Sequence, residues 1–243
     1  MDKDKNILMI GDSLFRGTLG INFINMLDEA FPSYRFINRG KGGDTLIGIA
    51  NRLEAELQEE HDYDIIVIEA GHNDILIPVG EHREFWHRVS SHYYQARGSI
   101  VTEEEDFEAR YDEMITMVRR YTDVPIIVTT LSCLGEDLAT EPNLKRARLN
   151  EAIIRVAKAH DLILADVGAE FDACLKASKE PKSLLFTQFA TRTLVDVLRS
   201  STVEGAKAMS EERGMMLVID GVHLNGEGAR LYFETIKERI ETL

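Results

Sequence analysis

Ile7-Leu8-Met9-Ile10-Gly11-Asp12-Ser13-Leu14 is the stretch from which the rest of the chain is read. Four consecutive apolar residues fit a buried parallel strand, and Gly11-Asp12 ends it. A serine then stands at the carboxyl end of that strand, ahead of a helix. In open α/β sheets ligands lie in the crevice beyond the carboxyl ends of the strands, so a hydroxyl there is placed for chemistry. Taken alone, Ser13 reads more simply as a helix cap whose oxygen satisfies an orphan N–H. The remaining sequence has to decide between the two.

Outward from this strand, apolar runs alternate with amphipathic stretches. Strands are predicted at residues 6–10, 35–38, 64–70, 125–131 and 162–167. Between them Ile21, Ile24, Leu27 and Phe31 share a helical face, as do Leu46, Ile49, Leu53 and Leu57. Phe107, Tyr111, Met114, Ile115, Val118 and Tyr121 form the cleanest stripe. Repeated β-α-β units imply a parallel sheet with helices on both faces, joined by right-handed crossovers.

The 243 residues suit one α/β domain, and no repeat or Pro/Gly-rich linker divides them. Two segments exceed a minimal five-strand unit, at residues 76–105 and 168–214. The first carries Trp86, Tyr93, Tyr94, His82, His87 and His92. Histidines five apart scatter around a helix axis, which argues against a shared metal. The second holds Leu184, Leu185, Phe186, Phe189, Leu194, Val195, Val197 and Leu198. It is apolar enough for an extra helix that covers a pocket or meets a second subunit of a homo-oligomer; covering the core is the expected role.

Composition excludes some partners. With 42 acidic against 28 basic residues the net charge is −14, a field that repels nucleic-acid phosphate and anionic lipid. No leader-like apolar run precedes the first strand, and none approaches the ~20 residues that span a bilayer. Cys133 and Cys174 are too few for a disulfide framework and read as buried free thiols. A cytoplasmic location without stable membrane association is expected.

Three loops follow the first three strands: Gly11-Asp12-Ser13-Leu14, then Asn38-Arg39-Gly40-Lys41-Gly42-Gly43-Asp44-Thr45, then Gly71-His72-Asn73-Asp74. In a 2-1-3 strand order they are neighbours on one edge. Acyl transfer uses this combination, because N–H donors beside a nucleophile stabilise a tetrahedral oxyanion. Gly43 lets a backbone N–H approach closely, and Asn73 offers a neutral amide donor. Each also has a plainer reading, Gly43 as a turn and Asn73 as an Asx-turn.

A serine nucleophile needs a base. His61 and His160 lie at helix ends, and His72 adjoins Asn73 with an ambiguous role. His223 stands in Val218-Ile219-Asp220-Gly221-Val222-His223-Leu224-Asn225. Asp220 can fold back onto the His223 Nδ1 and aim Nε2 at the serine. The alternative makes both of them surface loop residues, with Asn225 capping the last helix in either case.

These blocks resemble the GDSL, or SGNH, hydrolase family in order and spacing: Gly11-Asp12-Ser13-Leu14, Gly43 of Gly-Gly-Asp-Thr, Asn73 of Gly-His-Asn-Asp, and Asp220-Gly-Val-His223. The resemblance implies a three-layer α/β/α flavodoxin-like fold with a five-stranded parallel sheet of order 2-1-3-4-5. It implies Ser13 as nucleophile, His223 as base, Asp220 as its orienter, and Ser13, Gly43 and Asn73 as the oxyanion hole. A hydrolase of carboxylic esters follows, acting on a small-molecule ester through an acyl-serine, with no metal or other cofactor. The Val-Ile-Asp-Gly-Val-His-Leu-Asn run looks like the carbohydrate-esterase and arylesterase branch. A lysophospholipase, acyl-thioesterase or acyltransferase could use the same blocks. Phe15-Arg16 departs from the family pattern, and Arg16 is expected to pair with a surface carboxylate rather than a substrate anion. Two rival classes remain: a metallophosphoesterase built on Asp12, Asp44, Asp74, Asp220 and His223, and a flavodoxin-like binding module.

Overall fold

A computed structural model describes residues 5–59, 62–80, 99–176, 182–183 and 195–243. In chain order the elements are β1 (Lys5–Gly11), α1 (Ser13–Arg16), α2 (Phe23–Ala30), β2 (Tyr34–Gly40), α3 (Leu46–Gln58), β3 (Ile65–Ile68) and α4 (His72–Gly80). There follow α5 (Glu104–Val118), β4 (Ile126–Thr129), α6 (Glu141–Ala159), β5 (Ile163–Ala165), α7 (Val167–Lys176), α8 (Val203–Arg213) and α9 (Gly226–Ile240). Five parallel strands form one sheet in the order β2-β1-β3-β4-β5. The apolar run Ile7–Ile10 is wholly buried, as a strand covered on both faces requires.

Helices cover both faces of the sheet, with α2, α7 and α9 packed together and α3, α5 and α6 forming another group. Phe23 stacks on Tyr232 with ring centroids 4.8 Å apart, and Phe171 meets Tyr232 edge-on at 5.8 Å, joining the first of these groups. The stripe predicted on Phe107, Tyr111, Met114, Ile115 and Val118 is buried along α5. Tyr121 falls beyond the end of that helix and is exposed. Its hydroxyl bonds Glu54 and Gln58 at 3.2 Å instead.

The predicted strands β3, β4 and β5 are shorter than their apolar runs at the carboxyl ends. There Glu69-Ala70-Gly71 and Thr130-Leu131 leave the ladder to build loops, with Gly71 at φ 133. Because β1 lies between β2 and β3, the loops after these three strands sit side by side. Of the long segments, α7 and α8 lie in the second. His61, His82, His87 and His92, Trp86, Tyr93 and Tyr94 are outside the described residues, as are Leu184, Leu185, Phe186, Phe189 and Leu194. Cys133 is fully buried, Cys174 half-buried, and both are free thiols. Among the described residues no helix is long and apolar enough to cross a membrane.

Helix α1 is pressed against the end of β2. A Cβ on Gly40 would lie 2.1 Å from the Arg16 nitrogen and 2.5 Å from the Phe15 carbonyl carbon. Gly40→Ala must therefore push α1 off the sheet. The expected cost is about 1–3 kcal/mol, read as a lower urea midpoint. An unchanged midpoint would show that the two backbones are not in close contact.

Candidate active site

Of the two readings of Ser13, the structure does not bear out the cap. Asp12 is the N-cap of α1, its Oδ1 accepting from the Leu14 N–H at 2.9 Å. Ser13 becomes the first helical residue, and its hydroxyl is free for another partner. Phe15, fully buried with its ring edge-on to Phe23 at 5.2 Å, anchors the short helix to the core. Ser13 itself is half-buried at the carboxyl end of β1.

The second half of the site comes from the loop before α9. Val218 and Leu224 form an isolated antiparallel bridge, and the Ile219 N–H donates to the His223 carbonyl at 2.8 Å. Glu136, buried after β4, clamps this loop from below. Its Oε1 accepts from the Leu217 N–H at 2.6 Å and the Val218 N–H at 3.2 Å, and both of its oxygens face the Met216 N–H. The Gly135 N–H donates to the Gly221 carbonyl at 2.6 Å. Asn225 caps α9 through the Glu227 and Gly228 amides, as expected.

Within this loop Asp220 Oδ1 accepts from the backbone amides of Val222 at 3.0 Å and His223 at 2.8 Å. Its Oδ2 lies 2.8 Å from His223 Nδ1, and His223 Nε2 lies 3.1 Å from Ser13 Oγ. The two histidine contacts fix the tautomer: Nδ1 carries the proton and Nε2 accepts from the hydroxyl. Burial opposes a charged imidazole, but the charge and hydrogen bond of Asp220 outweigh it and raise the His223 pKa. Burial also opposes the Asp220 carboxylate, yet His223 and the two amides hold its pKa below the usual range. A hydroxyl, an imidazole and a carboxylate in this line can pass a proton from oxygen to nitrogen.

The candidate N–H donors come from α1, the loop after β2 and the start of α4. Gly43 adopts φ 75, a backbone conformation that favours glycine. The Ser13 and Gly43 amides have no acceptor among the described residues. Asn73, at the start of α4, donates from Nδ2 to the Asp44 carbonyl at 2.9 Å and to Asp12 Oδ2 at 3.2 Å. Its partners are thus neighbouring loops rather than its own turn. Asp74 holds this wall, taking the Leu46 and Val101 amides at 2.9 Å each, and burial pushes its pKa up to about 7.

The carboxylates grouped by the metal reading are engaged elsewhere. Asp44 pairs with Arg52 at 2.6 Å, and Asp74 is spent on amides. Among the described residues, the cluster close enough to share an ion is Asp12, Glu69 and His72, which are all buried. Residue patterns pointed to neither Glu69 nor Glu136. Each is an acidic residue flanked by apolar or polar neighbours, and its sequence signal is a charge inside a run that must be buried. Arg16 makes no ion pair among the described residues, contrary to its expected surface partner. A Cβ on Gly42 would lie 4.0 Å from its Nη1 and 3.9 Å from the Ser13 Cβ.

Solved structures share this architecture. An acetyl xylan esterase, AlAXEase, aligns with a TM-score of 0.65 at 21% identity, over 96% of this chain and 98% of the other. A lipolytic G-D-S-L family protein from Veillonella parvula gives 0.62 at 16% identity, over 98% and 99%. The acetylxylan esterase Axe2 from Geobacillus stearothermophilus gives 0.61 at 16%, over 99% and 96%. No curated protein matches the sequence significantly. The sequence matches the GDSL-like lipase/acylhydrolase family over residues 9–231, so the chain belongs to that family and is an ester-hydrolysing serine hydrolase.

Proposed function

We propose that the chain cleaves carboxylic esters of short acyl groups through a covalent acyl intermediate on Ser13. The observation that carries this reading is the unbroken line from Asp220 Oδ2 through His223 to Ser13 Oγ, at 2.8 and 3.1 Å. In the first step the Ser13 oxygen bonds to the ester carbonyl carbon and its proton passes to His223 Nε2. The carbonyl π-electrons move to oxygen, and the oxyanion is met by the Ser13 and Gly43 amides and by Asn73 Nδ2. Collapse breaks the bond to the alkoxy group, which leaves as the alcohol with the proton from His223. Water then adds to the acyl-serine with the same imidazole as base, releasing the acid and restoring Ser13.

Two of the similar structures are acetyl xylan esterases, which makes acetylated carbohydrate the first natural substrate class to try, with aryl acetates as convenient surrogates. The partner is a small-molecule ester. A net charge of −14 speaks against nucleic acid or an anionic membrane surface in that role.

A fluorophosphonate probe should label Ser13, and Ser13→Ala should lose both labelling and turnover of p-nitrophenyl acetate. Normal turnover in that variant would remove the acyl-serine. Asn73→Ala should lower kcat by roughly 10²–10³-fold while Ser13 is still labelled.

The raised His223 pKa sets the direction of the pH profile. The base works only when neutral, so activity falls as pH drops through that pKa. The midpoint of kcat/KM should lie above the ~6.5 of an ordinary histidine. In Asp220→Asn burial loses its strongest opponent, and of the charges that raise the His223 pKa Asp12 remains. The midpoint should move down and kcat should fall by roughly 10⁴-fold. A midpoint that does not move would assign the titration to another group.

A further inference from the structure

Behind the proposed oxyanion donors lie three titratable groups that the mechanism leaves unused. His72 is fully buried, its Nδ1 3.6 Å from Asp12 Oδ2 and 3.6 Å from Glu69 Oε1. Neither distance is a hydrogen bond, and among the described residues both His72 Nδ1 and Glu69 Oε1 lack a hydrogen-bonding partner. Asp12 Oδ2 is also the oxygen that takes the Asn73 Nδ2 proton at 3.2 Å. We propose that His72 is a positioning residue: held as an imidazolium between Asp12 and Glu69, it balances their charge and so allows Asn73 to serve an oxyanion. This rests on the acyl-serine reading of the site.

With Glu69 as a carboxylate, the protonation follows from counting hydrogens around the cluster. Tyr232 has a single hydroxyl proton, which it gives to Glu69 Oε2 at 2.7 Å. Ser132 Oγ lies 3.1 Å from that tyrosine oxygen and 3.3 Å from His72 Nε2. Ser132 therefore donates to Tyr232 and accepts from the Nε2–H of His72. A neutral ring would then aim the Nδ1 lone pair at two carboxylate oxygens, which repel it. A proton on Nδ1 turns the same geometry into two ion pairs. Burial alone would strip that proton, and the close Asp12 and Glu69 carboxylates outweigh it, lifting the pKa to about 10.

The consequence for catalysis is electrostatic. Asp12 sits against the donor that the oxyanion needs, so an unbalanced carboxylate there would compete for the Asn73 proton and repel the developing charge. Glu69 adds a second negative group in the same buried space. The imidazolium counters both, and it does so before the reaction starts, when no reorganisation remains to be made. Its effect should appear in the transition state rather than in substrate binding.

The test compares wild type, His72→Gln, Glu69→Gln and the His72→Gln/Glu69→Gln double variant on p-nitrophenyl acetate. Tm and fluorophosphonate labelling are measured for each. His72→Gln should lower kcat by about tenfold or more with KM within about twofold, and the double variant, which removes one charge of each sign, should regain most of that loss. A merely structural histidine would not be rescued by deleting its neighbour's charge. Wild-type kcat in His72→Gln overturns the proposal, and so does a double variant no faster than the single. Should His72→Gln fail to fold, the double variant decides: kcat within about threefold of wild type supports the proposal, and a lower kcat overturns it. A divalent metal bound at one per chain in the purified protein, with kcat lost on chelation, would make the balancing cation a metal ion and also overturn it. Failure of the acyl-serine reading shows separately, as turnover surviving in Ser13→Ala.

Discussion

The hydrogen bond between Ser13 Oγ and His223 Nε2, 3.1 Å long, joins residues 210 positions apart. Nothing local can make it. It needs a strand whose carboxyl end faces the same crevice as the loop before the last helix, and a sheet whose order turns around at that strand. Each buried residue of Ile7–Ile10 therefore contributes twice, once by removing apolar surface from water and once by fixing where the hydroxyl stands. The geometric precision of a proton transfer is inherited from sheet packing.

The division of labour between Asp12 and Ser13 shows how closely chain chemistry and catalysis interlock. Either residue type can cap a helix, and only one can do so here. By taking the Leu14 amide, Asp12 releases the serine hydroxyl for His223. The Oδ2 of the same aspartate accepts from Asn73, so one side chain touches both the helix that carries the hydroxyl and the amide donor. On the far side Glu136 does comparable service, since three backbone amides of the loop 216–218 converge on its carboxylate. That clamp holds the strand-like stretch from which Asp220 and His223 project.

The parallel sheet was legible because fully buried strands write themselves as runs of Ile, Val and Leu. The residues brought together at its edge were legible because they fall just after those runs. The carboxyl ends were read too long, for Ala70 and Leu131 return to apolar character after the ladder has stopped at Ile68 and Thr129. Tyr121 continued a helical stripe past the end of its helix because periodicity carries no information on where hydrogen bonding ceases. Glu69 and Glu136 were missed for a different reason. A carboxylate is placed in a core by partners distant in sequence, and those of Glu69 are Thr129, Tyr232 and His72. No window of sequence around residue 69 contains the first two. Arg16 illustrates the reverse: in an acidic chain an ion pair was the natural expectation, yet the side chain stands beside Gly42 instead.

Two buried carboxylates near the nucleophile show why burial alone does not set a pKa. Asp220 and Glu69 both lose their hydration, and desolvation pushes both upward. Asp220 accepts two backbone amides and faces an imidazole at hydrogen-bonding distance, so its pKa ends below the ordinary value. Among the described residues Glu69 has hydroxyl donors on one oxygen only, and it meets its imidazole at 3.6 Å, so its pKa remains raised. The first environment keeps a charge in place to support a proton relay. The second disfavours the charged form, the condition that a cation beside Glu69 and Asp12 would relieve.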